Sequence, residues 1–286
     1  MFCCTTHIII GLPDCTNWGE TYKMIVLCNG MVRGGSSVQY NVARLIVELT
    51  GKGKGEGYFK LKSRNFITGL LLRDKILDFK SPNIIKWLHD DQYHVIKIHG
   101  INPDYYEETK YDNTKILYIH RNIMDVASSF KRIYQQQNWF WRRLQPDLIA
   151  SLDWIYGNKG EMLNIPGVFA QKYEEAISDK TKMVYDIAKH ININITSLVV
   201  KKVIQGINEA AEMTRKKTPW YQLYDPTTLM LNKHVGGGEC YLTDEEIKRI
   251  NNRYIDRPKT GINNDKTTHI DRHYRGDDCC IDNQND

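Results

Sequence analysis

The stretch Gly30-Met31-Val32-Arg33-Gly34-Gly35-Ser36-Ser37 constrains this chain more than any other part of it. The apolar run Met24-Ile25-Val26-Leu27-Cys28 precedes it and reads as a buried strand. Val38, Val42, Leu45, Ile46 and Leu49 follow at helical spacing. A strand passing through a glycine loop into a helix points the amides of the loop and of the first helical turn outward, where they can wrap an anion. The loop has the Gly-x4-Gly spacing of a phosphate-binding P-loop, followed by two hydroxyl residues. A P-loop for a nucleoside triphosphate places a lysine next, to reach the outer phosphates; here that place holds Ser36. Arg33, inside the loop, supplies a different cation for a phosphate or sulfate oxygen. Taken alone, a Gly-Gly-Ser-Ser stretch also serves as a plain turn.

The rest of the chain repeats the alternation of strand and helix. Val95-Ile96-Lys97-Ile98, Ile116-Leu117-Tyr118-Ile119 and Gly167-Val168-Phe169-Ala170-Gln171 read as short strands of a covered sheet. Gly51 to Gly57, with a glycine at every second residue, reads as a flexible connection. Residues 66–91 read as helical or mixed, and 138–165 as helical and aromatic. Helices are expected from Ile123, N-capped by Asn122, up to about Lys189 after the fourth strand, and over 195–216. Residues 217–241 form a loop, and Thr243-Asp244-Glu245-Glu246 is a capping box that opens a last helix. The fold class expected is α/β: a central parallel β-sheet flanked by helices. One domain is expected over 21–256, after a segment 1–20 with no clear period and before a mobile tail, 257–286.

The exclusions come from composition. The 286 residues carry 39 Lys+Arg against 34 Asp+Glu, a net +5. That is too mild for a nucleic-acid surface and suits a small anionic ligand. No apolar run is long enough to span a membrane, and no basic-then-apolar segment reads as a signal peptide, so a cytoplasmic setting is expected. The seven cysteines include no CxxC and suggest neither a disulfide framework nor a zinc site.

A second anion site is suggested where the third strand ends. Arg121 lies at its carboxyl edge, and Ser129 follows eight residues on, in the next helix. Two such sites at two strand ends point to a ligand with two separate anionic groups. At this point the residues resemble a family, the sulfotransferases that use 3′-phosphoadenosine 5′-phosphosulfate (PAPS). Val32-Arg33-Gly34-Gly35-Ser36-Ser37-Val38 is similar to the family's 5′-phosphosulfate loop, commonly Pro-Lys-Ser-Gly-Thr-Thr-Trp. Tyr118-Ile-His-Arg121-Asn-Ile-Met-Asp125-Val-Ala-Ser-Ser129 resembles the 3′-phosphate motif, with Arg and Ser at the family's separation. Lys172-Tyr173-Glu174-Glu175 resembles a Tyr-Glu-Asp whose tyrosine lies near the adenosine. Lys233-His234-Val235-Gly236-Gly237-Gly238 resembles the basic glycine loop that closes over the 3′-phosphate. The motifs run in the family's order from about Lys23 to Arg253. Departures are Arg33 for the loop lysine and Val38 for the tryptophan that stacks on adenine.

The resemblance implies a P-loop-like sulfotransferase fold, PAPS as donor, 3′-phosphoadenosine 5′-phosphate (PAP) as product, and no metal. It implies cofactor contacts from Arg33, Gly34, Gly35, Ser36, Ser37, Val38, Arg121, Ser129, Tyr173, Lys233, His234 and Gly236. Lys97-Ile98-His99 resembles the Lys-Thr-His of small-molecule members. His99 is then the base that deprotonates the acceptor, while Lys97 and Arg33 stabilise charge on the sulfuryl group and the leaving phosphate. The acceptor implied is the hydroxyl or amine of a small molecule, a specialised metabolite or alkaloid toxin among the candidates. Trp139, Phe140, Trp141 and Trp154 are candidates for its pocket or for plain core. Two alternatives stay open, a P-loop small-molecule kinase and a catalytically silent nucleotide-binding protein.

Overall fold

The computed structural model describes residues 24–58, 82–98, 113–136, 147–217 and 241–255. Five strands form one sheet: β1 (Met24–Gly30), β2 (Gly53–Tyr58), β3 (Tyr93–Ile98), β4 (Thr114–His120) and β5 (Val168–Lys172). Their order is β2-β3-β1-β4-β5, and every pairing is parallel. Eight helices accompany them among the described residues: α1 (Ser36–Leu49), α2 (Pro82–His89), α3 (Ile123–Gln136), α4 (Leu148–Leu163), α5 (Tyr173–Ser178), α6 (Lys180–His190), α7 (Ser197–Lys217) and α8 (Asp244–Ile250). A π-helical turn, Asn251–Ile255, extends the last.

The alternation of β1 explains the layering. Met24, Val26 and Cys28 face one side and pack with Val42 and Ile46 of α1, Val184 and Ile187 of α6 and Val203 of α7. Ile25 and Leu27 face the other side, against Ile84 of α2 and Met162 of α4. Every residue of β1 is buried, as a central parallel strand requires. A third cluster, with Met31, Val126, Ala127, Leu152 and Ile250, joins α3, α4 and α8 to the start of the glycine loop. Among the described residues no helix is long and apolar enough to cross a membrane.

Among the described residues most expected elements are present and two readings need correction; the readings over 1–20, 66–81, 138–146, 218–240 and 257–286 lie outside those residues. The glycine run from Gly51 was expected to be a flexible connection. Gly53–Tyr58 instead forms edge strand β2, paired with β3. Its glycines serve close approach. A Cβ on Gly53 would lie 2.1 Å from the Tyr93 carbonyl oxygen, and one on Gly55 would lie 2.4 Å from Arg44 Cδ. The backbone N–H of Gly57 donates to the Tyr40 hydroxyl at 2.8 Å, fastening the strand to α1. The helix expected up to Lys189 is two helices broken at Asp179, whose carboxylate accepts from the Lys182 N–H at 2.8 Å and caps α6. The cap readings agree with the structure. Asn122 Oδ1 accepts from the Met124 N–H at 2.9 Å, and Thr243 and Glu246 form the reciprocal capping box.

Candidate functional site

The carboxyl ends of β1, β3, β4 and β5 bring the chemistry-bearing residues together. The loop after β1 is anchored at once, because the Met31 N–H donates to the Ile119 carbonyl of β4 at 2.9 Å. The Gly34 N–H donates to the Met31 carbonyl at 2.7 Å and closes a turn. Two residues in the loop take left-handed backbone, Arg33 at φ 65 and Gly35 at φ 97. For Arg33 that conformation costs roughly 1 kcal/mol or more, a strain that concentrates at functional sites. Gly35 has a second reason to lack a side chain, since a Cβ there would lie 2.2 Å from Cδ2 of the Tyr173 ring. Tyr173 begins α5 directly after β5, so its ring braces the loop from the strand end beyond β4.

Helix α1 starts at Ser36, and its N-cap is Gly35, which carries no capping side chain. The first N–H groups of a helix have no partner within it, so this end offers donors and positive dipole to an anion. Two cations stand beside it. Arg33 Nε donates to Ser129 Oγ at 3.1 Å, linking the loop to α3. Lys97 Nζ donates to Ser37 Oγ at 2.5 Å, linking β3 to the first turn of α1. Lys97 is 6% exposed and pairs in register with Cys28. Burial, reinforced by the Arg33 charge, lowers the Lys97 ammonium to a pKa of about 7. Burial also pushes the Cys28 thiol far up, so it stays protonated.

A third cation, Arg121, is also buried and follows β4. Its Nε lies 3.4 Å from Asp125 Oδ2 and 4.0 Å from Glu174 Oε1, and its guanidinium carbon lies 4.7 Å from the centre of the Tyr173 ring. Glu174 also accepts from the Asn122 N–H at 3.0 Å. Tyr173 therefore stands between the two cationic centres, touching the loop on one side and Arg121 on the other. Burial raises the pKa of its hydroxyl, which remains a neutral donor.

Of the residues singled out in the sequence, Arg33, Gly34, Gly35, Ser36, Ser37, Lys97, Arg121, Ser129 and Tyr173 share this edge. Val38 does not face it: its side chain is 3% exposed in the core, and its N–H is bonded to the Gly35 carbonyl at 2.9 Å. His99, Lys233, His234, Gly236, Trp139, Phe140 and Trp141 lie outside the described residues, as does the side chain of Trp154. Sequence reasoning missed the carboxylate of Glu174 as a neighbour of Arg121. It also missed the bond between Gln39 of α1 and Gln171 of β5, 3.2 Å, behind the loop. Asp125 was read from the sequence as an acid favouring the start of α3; the structure also sets it beside Arg121. His94 lies at the opposite end of β3, fully buried, with Nδ1 2.8 Å from Glu56 and its ring stacked on Trp87. His120 stacks on Tyr118 at a centroid distance of 6.3 Å.

Known structures share this architecture. Mouse sulfotransferase SULT7A1 complexed with PAP is similar at 15% identity and a TM-score of 0.55, over 82% of this chain and 86% of that one. Retinol dehydratase in complex with androsterone and inactive cofactor PAP is similar at 14% identity and a TM-score of 0.52, over 84% of each chain. No protein-family model matches the sequence, and neither does any curated protein sequence. The likeness shows the fold: a parallel α/β sheet of the P-loop-like sulfotransferase type.

Proposed function

We propose that this chain is a PAPS-dependent sulfotransferase acting on the hydroxyl or amine of a small molecule. The observation that carries this reading is the pairing of two cationic centres across Tyr173. One is the uncapped start of α1 with Arg33 and Lys97, and the other is Arg121. A ligand with a 5′-phosphosulfate and a 3′-phosphate has anionic groups for both. Ser36, in place of the P-loop lysine, speaks against a nucleoside triphosphate. The shared fold adds support, since both similar structures are described with PAP bound.

The residues present fit such a ligand. Free helical donors, Arg33 and Lys97 would hold the 5′ end, while Arg121 and Ser129 would hold the 3′-phosphate, with Lys233, His234 and Gly236 closing over it. When bound, the donor supplies an activated sulfuryl group for in-line transfer. Lys97 and Arg33 would stand at its 5′ end and oppose negative charge developing there, a preorganised electrostatic contribution. Tyr173 keeps the loop and Arg121 at a fixed separation. His99 takes the acceptor proton as general base, a task suited to an imidazole near neutral pH. These cations do the work that magnesium does in phosphoryl transfer. Androsterone in one similar structure accords with a small-molecule acceptor here. We place the catalytic domain at 21–256 and the protein in the cytoplasm.

A screen of candidate alcohols, phenols and amines with sulfur-labelled PAPS tests the reading. Label transfer to an acceptor is expected, and loss of transfer in His99→Ala with PAP binding retained identifies the base. Transfer at an unchanged rate in His99→Ala removes His99 from that role.

A further inference from the structure

We propose that Lys97, before a ligand binds, is mainly a neutral amine above neutral pH and takes up a proton from solvent when a phosphate or sulfate group settles on the start of α1. Ligand binding at this loop would thus be coupled to proton uptake. The inference rests on the donor-site reading and adds to it a statement about how the cationic charge at the site arises.

The surroundings of Lys97 carry the argument. Arg121, the other buried cation, has two carboxylates within 4.0 Å. Lys97 is as buried but, among the described residues, forms no ion pair with a carboxylate. Its described hydrogen-bond partner is the Ser37 hydroxyl. Among the described residues, the groups on the elements packed against it are its two partners in register, Cys28 on β1 and Tyr58 on β2, with Arg33 on the loop and Ser37 on α1. Arg33 is a permanent cation and opposes a second charge beside it. Cys28 remains a neutral thiol and offers no countercharge. Desolvation and a like charge both favour the amine, in line with titration near pH 7 in the empty site.

An anion on the adjacent helical amides reverses this balance, because an opposite charge within about 4–6 Å favours the ammonium. The balance of the step is simple. The amine nitrogen gains a proton that the buffer loses, and no bond in the ligand changes. The contribution of Lys97 to affinity is nearly flat below pH 7 and falls above it, toward tenfold per pH unit, until the pH reaches the raised value of the occupied site.

Isothermal titration of PAP at pH 8, in two buffers of different ionisation enthalpy, reads the uptake directly. At that pH a group of pKa about 7 is mostly neutral, so an uptake of about nine-tenths of a proton is expected. The ligand phosphates, with second pKa near 6, are already ionised and add little. Lys97→Arg keeps a permanent cation, so PAP should still bind, with no uptake from this residue and a flat affinity between pH 7 and 9. PAP binding to the wild type without uptake, or equal uptake in Lys97→Arg, overturns the inference and leaves the donor-site reading standing. If PAP does not bind, inorganic pyrophosphate takes its place. Pyrophosphate binding with Lys97-dependent uptake would keep the inference while the donor-site reading falls. Binding of neither anion overturns both.

Discussion

Gly35→Ala tests the geometry on which the site depends. The new methyl meets two obstacles. Gly35 sits at φ 97, a left-handed backbone that an alanine adopts at about 1–2 kcal/mol. Its Cβ would also lie 2.2 Å from Tyr173 Cδ2 and 2.6 Å from Cε2, where carbon atoms rest about 3.5–4.0 Å apart. Tyr173 is 2% exposed and cannot swing away freely, so the overlap adds roughly 1–3 kcal/mol, as overpacking in a filled core does. Gly51→Ala is the control. Gly51 also has positive φ, 67, but nothing lies within 4 Å of its would-be Cβ. Urea denaturation should therefore find both variants less stable than the wild type, with Gly35→Ala the worse by about 1–3 kcal/mol. PAP affinity should drop in Gly35→Ala and stay unchanged in Gly51→Ala, which lies at the far end of α1. Equal destabilisation in the two, or an unaltered PAP affinity in Gly35→Ala, would refute the claim that Tyr173 braces the loop.

Other perturbations read separate parts of the account. Arg121→Met should weaken PAP by about 10–100-fold, the worth of charged hydrogen bonds, while adenosine 5′-phosphate, lacking the 3′ group, loses little; titration calorimetry of both ligands decides. Thr243→Ala removes the acceptor for the Glu246 N–H and should cost about 1 kcal/mol, a fall of roughly 2–4 °C in Tm by calorimetry. His190, stacked on Phe169 at 5.1 Å, is depressed by burial to a pKa of about 4. Its contribution to stability is then full above about pH 6.5, the unfolded value, and is lost as pH falls toward 4. Denaturant midpoints of His190→Gln should show a shallower decline over that window than those of the wild type.

The parts of the fold that were legible from the sequence are those whose signal is local. β1, the glycine loop and α1 carry period, punctuation and spacing within 26 residues, Met24 to Leu49. The capping box of α8 is complete within Thr243 to Glu246. β2 was not legible, because its glycines answer to Tyr93 and Arg44, side chains and backbone from other elements, while imitating a linker. The same holds within the site. Arg33, Lys97 and Arg121 were identifiable as cations at strand ends. That Lys97 reaches Ser37, 60 residues away in sequence, follows from β3 lying beside β1. That Tyr173 presses on Gly35 follows from β5 lying beside β4, and no motif states it. Val38 shows the limit of alignment. It falls on the adenine-stacking place of the motif, yet the pitch of α1 turns it into the core.

The most direct test of the account is calorimetric titration of the full chain with PAP in the presence of EDTA, set beside ATP with magnesium. Saturable PAP binding without a divalent ion, weakened by Arg33→Ala and by Arg121→Met alike, is the result predicted. Binding of ATP with magnesium, together with no binding of PAP, would contradict it and move the chain to the kinase class.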